Sequence, residues 1–219
     1  MAAKLLERLK IDRLHVAPRT LELSSAMAQE RYSQLWAPLQ DLARHLSPLP
    51  DGLLCFWLNQ TGGHVVVTHL SSHYEPGEGQ LKNATLRNVA YVSASDLAGA
   101  PIEALAPVGS LLDHLLGNAG AELGAWLSEG GGVHSALHEL GLRVVELFPL
   151  GYGFDAAACA DARSYFARSF ALYLHDRRRL NVADPLMERL FRASLLADAF
   201  WRAKRLKSLL EADLLGPQS

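Results

Sequence analysis

The chain has 219 residues, 49% of them apolar and 20% charged, the composition of a folded globular protein rather than a disordered one. Twenty-one Lys and Arg stand against 23 Asp and Glu, a net charge of −2, so no global field draws the molecule to nucleic acid. No apolar run approaches the roughly 20 residues that cross a bilayer, and charge interrupts the leucines of the opening MAAKLLERLKIDRLHV, which predicts no secretory signal.

In residues 21–46 the apolar positions Leu21, Met27, Leu35, Leu39, Leu42 and Leu46 recur at roughly helical spacing, and Pro38 predicts a kink or break, giving one or two helices. Residues 53–58 (LLCFWL) and 64–70 (HVVVTHL) flank a turn at Gly62-Gly63 and predict a β-hairpin. Residues 71–83 hold Pro76, Gly77 and Gly79 without apolar periodicity and predict an exposed loop, with a third strand at 89–93. Beyond Asp96 the period turns helical. Leu105, Val108, Leu111, Leu112, Leu115 and Leu116 form one stripe, stopped by Gly117-Asn118. Gly130-Gly131-Gly132 precedes a helix at 133–148, with Val133, Leu137, Leu140, Val144 and Leu147 on its core face.

Two further helices are expected at 160–175 and 184–215. Between them runs Arg177-Arg178-Arg179, which reads as a solvated helix face or, alternatively, as a local anionic docking patch. The expectation is one α+β domain over residues 1–219. Its small sheet in the N-terminal half (1–100) packs on a mainly helical C-terminal half (101–219). Cys55 and Cys159 read as buried free thiols in a reducing, cytoplasmic setting.

Nine histidines direct attention to metal and acid/base chemistry. His15, His45 and His175 stand alone in polar surroundings and read as surface residues. His64 and His69 point to opposite faces of a strand and cannot share one ion. His134 and His138 form an i, i+4 pair that, on a helix, puts two imidazoles at a spacing able to hold zinc, with Glu139 following the second. Ser135 stands where a catalytic motif of that kind needs glutamate.

Two segments carry a resemblance. One is Ser110-Leu111-Leu112-Asp113-His114; the other is SYFARSFALY, from Ser164 to Tyr173. The second resembles the glutamate-Phe-Phe-Ala-glutamate-x-Phe-x-x-Tyr helix of the anthrax-lethal-factor-like zinc metallopeptidases. In that family a His-Glu-x-x-His helix supplies two zinc ligands and the general base. The later helix supplies the third ligand, and a tyrosine in the preceding loop assists at the substrate carbonyl. The 54 residues from Ser110 to Ser164 match the family's spacing of roughly fifty.

The resemblance places Ser110 at the first histidine, Leu111 at the general base, and His114 at the second histidine. Ser164 falls at the third ligand, Arg168 at the second glutamate of the later helix, and Tyr152 at the assisting tyrosine. It implies a zincin-like fold whose catalytic set has eroded, since zinc needs three protein ligands and an open position, and leucine cannot take a proton. No cofactor is then expected. The implied function is binding a protein or extended peptide by strand addition to the sheet edge. The alternative is an active zinc-dependent metallopeptidase with ligands drawn from His114, His134, His138, Asp113 and Glu139. Membrane and nucleic-acid partners are disfavoured.

Overall fold

A computed structural model describes residues 2–82, 84–150, 156–203 and 206. The chain opens with helix α1 (Ala2–Asp12) and a short strand, β1 (Leu14–Val16). Helices α2 (Ala26–Arg31), α3 (Ala37–Leu46) and α4 (Asp51–Leu58) then lead to β2 (His64–Thr68), β3 (His73–Leu81) and β4 (Ala84–Ser93). The remainder is helical: α5 (Ala94–Gly99), α6 (Pro101–Asn118), α7 (Ser135–Leu147), α8 (Ala162–Ala183), α9 (Pro185–Ala193) and α10 (Asp198–Arg202). The class is α+β with a small mixed sheet, as the composition pattern implied. Among the described residues no helix is long and apolar enough to cross a membrane.

The sheet order is β1-β2-β4-β3. β1 and β4 each run parallel to β2, and β3 runs antiparallel to β4. Leu14, Val65, Ala90 and Tyr74 align across the sheet in one row. The first three belong to the main core, with Tyr74 packed against it. On the opposite face Val66 and Val89 are fully buried and Leu86 is nearly so, beside Leu81 and Tyr91. The core is continuous from Leu9 of α1 to Leu195 beyond α9 and joins both halves of the chain.

Several expectations are corrected. Residues 53–58 form a helix rather than the first strand of a hairpin. Pro50 precedes it, Asp51 opens its first turn, and Leu53, Leu54, Phe56, Trp57 and Leu58 are all buried. An apolar run this short carries no period, so a helix buried all round and a buried strand look alike in sequence. Residues 71–83 contain a nine-residue strand rather than a loop. It lies at the sheet edge with one face in water, and a register shift between Glu75 and Glu78 accommodates Pro76 and Gly77.

The Pro76-Gly77 irregularity is held in place by Asn88, itself at φ +56°. Its carbonyl accepts from Gly77 N at 2.9 Å and its amide donates to Gly120 O at 3.0 Å. α8 runs on to Ala183 but leaves helical geometry at Asp176 (φ −148°, ψ 81°). The expected long last helix is two short ones among the described residues, α9 and α10, and residues 204, 205 and 207–215 of it lie outside them. Cys159 is exposed and Cys55 half-buried, so the two thiols are free but not buried as expected.

Candidate functional site

Helix α6 carries three of the aligned positions, Ser110, Leu111 and His114. Its leucine stripe buries it among β3, β4 and α8, and at Gly109 it crosses α8 in direct backbone contact. A Cβ there would lie 2.7 Å from Ala167 O and 2.8 Å from Ala167 Cα. Ser110 adjoins Gly109 on α6 and Ser164 lies three residues before Ala167 on α8, each partly buried.

Their chemistry is another matter. Ser164 belongs to the N-terminal cap of α8: its N–H donates to Asp161 Oδ1 at 2.8 Å and its hydroxyl to Asp161 Oδ2 at 3.0 Å. Leu111 is fully buried in the core. Arg168 lies in a forked ion pair with Glu103, at 2.8 and 2.5 Å. Its side chain is only 14% exposed, and Glu103 lies in the first turn of α6. Tyr152 lies outside the described residues.

His114 is 1% exposed and has both ring nitrogens engaged. Nε2 lies 2.8 Å from Ala121 O, which can only accept, so Nε2 carries the proton. Nδ1 must then accept from the Tyr74 hydroxyl at 2.7 Å. This is a neutral imidazole with a fixed tautomer, and burial holds its pKa below the ordinary histidine value. Burial likewise raises the Tyr74 hydroxyl, keeping it a donor.

Trp126 lies flat on His114, with centroids 4.6 Å apart and planes at 16°, and meets Tyr74 edge-on at 5.6 Å. The Arg163 guanidinium covers the outer face of Trp126 at 4.1 Å. Arg163 also forks onto Glu129 at 2.8 and 3.0 Å, and Glu129 in turn accepts from Trp126 N at 3.1 Å. Asp113 anchors the same loop from beneath. It accepts from Ser128 N at 2.7 Å and Ser128 Oγ at 2.6 Å while fully buried. Burial pushes its carboxyl up to about 7, against the lowering effect of those two hydrogen bonds.

The other proposed ligands do not gather around His114. His134 is the N-cap of α7 in extended conformation (φ −149°, ψ 152°), and its Nδ1 accepts from Ala136 N at 3.2 Å. It is outside the helix, so the i, i+4 face shared with His138 does not form. His138 donates through Nδ1 to Gly130 O at 2.8 Å, and Glu139 is exposed on α7. Among the described residues no three His, Cys, Asp or Glu side chains come together as a metal site. The donors present do not fit a catalytic zinc: two aligned positions are serines, one is a core leucine, and the surviving histidine has its lone pair on Tyr74.

Two histidine contacts were invisible in the sequence. His15 lies on β1 rather than alone on a helix, and its Nε2 is 3.0 Å from His64 Nδ1. His45 and His175 approach with ring centroids 5.8 Å apart. Nor could sequence reasoning find Trp126, Tyr74 or Ser128 as partners of the α6 residues, since they lie 12 to 40 positions away from His114.

Fold and site together define an α+β domain in which the surface of its central helix at His114 is filled by packed aromatic side chains. Comparison of the chain with protein-family models, curated proteins and solved structures finds no match.

Proposed function

We propose that the chain is a non-catalytic binding module of zincin-like, lethal-factor-like architecture that captures an extended segment of a partner protein in the cytoplasm. The observation that carries this reading is a cleft of about 720 Å³ bordered by the edge strand β1 and by the turn between β3 and β4, lined by Leu14, His15 and Val16 together with Ile11, Trp36 and Leu81. Arg13 O accepts from Val65 N and Ala17 N donates to Val67 O, so the alternation of a parallel ladder turns the backbone groups of Leu14 and Val16 away from β2. Ile11 is 78% and Trp36 58% exposed, which places apolar surface beside the edge strand β1.

A peptide added to this edge gains main-chain hydrogen bonds from β1, and its side chains reach Ile11 and Trp36. Lys82 lines the same cleft and favours an acidic flank on the peptide, while Lys10 beside it is paired with Glu7 at 2.7 Å. The absence of catalysis is supported by the spent donors around His114. The zinc-hydrolase reading has no observation in its favour.

Val16→Pro tests the reading. Proline at an edge strand is tolerated where its missing N–H faces away from the ladder, so the fold survives while the docking donor is lost. Extended peptides selected on the parent protein should bind at least tenfold more weakly to Val16→Pro and to Trp36→Ala, with unfolding temperature little changed. Selected peptides that bind both variants as tightly as the parent would remove β1 as the docking edge.

A further inference from the structure

The basic run Arg177-Arg178-Arg179 plays no part in the peptide cleft. Asp176 breaks helical geometry just before it and accepts from Arg179 N at 3.0 Å, so α8 kinks at this point. Beyond the kink Arg177 and Arg178 come together with Arg192 of α9 around a cleft of about 650 Å³, which Asn181 also lines.

Glu188 lines this cleft too and is 3% exposed. It accepts from Arg177 Nε at 2.7 Å and lies 3.3 Å from Arg192 Nε. Both guanidiniums are thus oriented by one buried carboxylate through their Nε edges. Among the described residues their terminal Nη groups make no hydrogen bond, and Arg178 has no ion-pair partner. Tyr173 steadies Arg177 further, its ring centroid 5.5 Å from the guanidinium carbon. Three arginines around one glutamate leave a surplus of two positive charges in a chain whose net charge is −2.

We infer that this cleft binds a dianionic phosphoryl group. Guanidinium forks present paired N–H donors that match phosphate oxygens, and the charge surplus equals that of a phosphate monoester or inorganic phosphate near neutral pH. Glu188 acts as a positioning residue: it orders two of the forks and touches no ligand itself. The two sources of such a group, free phosphate and a phosphorylated partner segment, share this chemistry.

Calorimetric titration with inorganic phosphate and, separately, with a short phosphoserine peptide tests the site at about 0.15 M salt, where non-specific surface attraction is largely screened. Saturable binding of one phosphoryl group per chain is expected, about tenfold weaker in Arg178→Ala and again in Arg192→Gln. Both changes are at exposed positions, and circular dichroism checks the fold. Tighter binding of the phosphopeptide assigns the site to a modified polypeptide; equal binding assigns it to free phosphate. No saturable binding of either probe, or binding that both arginine variants leave unchanged, overturns the inference. Neither residue lines the β1 cleft, so this result is independent of peptide capture.

Discussion

Two titratable side chains, Asp113 fully buried and His64 half-buried, set opposite pH dependences. Asp113 has its carboxyl raised to about 7, chiefly by burial, against an ordinary value near 3.8. The folded state therefore holds this proton more tightly than the unfolded chain, and the stability it contributes is lost as pH rises from about 4 to about 7. In Asp113→Asn the carbonyl can still accept from Ser128 N and the amide can donate to Ser128 Oγ, without ionising. The stability difference in favour of Asn should grow by the order of 2 kcal/mol between pH 4.5 and pH 7.5 in urea unfolding. A constant difference would mean that Asp113 is ionised throughout.

His64 works the other way. Burial first, then Arg13 and His15, depress it from 6.5 to about 4. Arg13 Nη1 faces its Nε2 at 3.4 Å, and its Nδ1 meets His15. The neutral ring is at no disadvantage above about pH 6.5, and stability is lost as pH falls from there towards 4. Gln can accept from Arg13 and donate to His15 without charging, so His64→Gln should flatten the fall in unfolding temperature between pH 6.5 and 4.5. An unchanged slope would assign the acid sensitivity elsewhere.

At the scale of the elements, the α6–α8 crossing is the tightest constraint near the aligned positions. Gly109 has no room for a methyl against Ala167 backbone, and Gly117 none against Leu127 N, which a Cβ would approach to 2.4 Å. Gly109→Ala must separate two packed helices and should cost about 1–3 kcal/mol. Within α8 the side chains divide sharply. Phe166 and Phe170 are fully buried and both meet Phe191 edge-on, with centroids 5.4 and 6.1 Å away. Phe170→Ala should therefore cost about 3–5 kcal/mol. Arg168→Ala removes an ion pair whose glutamate is half-exposed and should cost no more than about 1 kcal/mol. Chemical denaturation of the three variants checks the order, and an Arg168→Ala loss equal to that of Phe170→Ala would give the Glu103 pair a core role.

For the whole molecule, the arrangement around α6 concerns metal content. The His114 lone pair is spent on Tyr74, the ring is roofed by Trp126, and Ser110 and Ser164 offer no imidazole or carboxylate. Protein purified without chelator should carry far less than one equivalent of zinc, measured by plasma emission. Near-stoichiometric zinc would reinstate the hydrolase reading and demand a rearranged loop at 119–134. The same loop explains why the cleft offered for peptide capture lies at β1 and not over α6. Asp113, His114 and Leu116 all bond loop backbone or side chains from Ala121 to Val133.

What the amino-acid order determined by itself is the part governed by local period. The leucines of α6, the core face of α7 and the phenylalanines of α8 recur at helical spacing, and the valines of β2 read as strand, so the α+β class followed. Tertiary structure decided the rest. The run at 53–58 became a helix because it is buried on all sides and carries no period. Residues 73–81 became a strand because β4 supplies the hydrogen bonds of an edge whose own side chains are polar. The neighbours of His114, namely Tyr74, Ala121 and Trp126, were fixed by tertiary packing, and His15 acquired its partner only when β1 paired with β2. Partners of that kind are fixed by packing across distant segments, and a ring nitrogen is free or spent according to neighbours that no local spacing specifies.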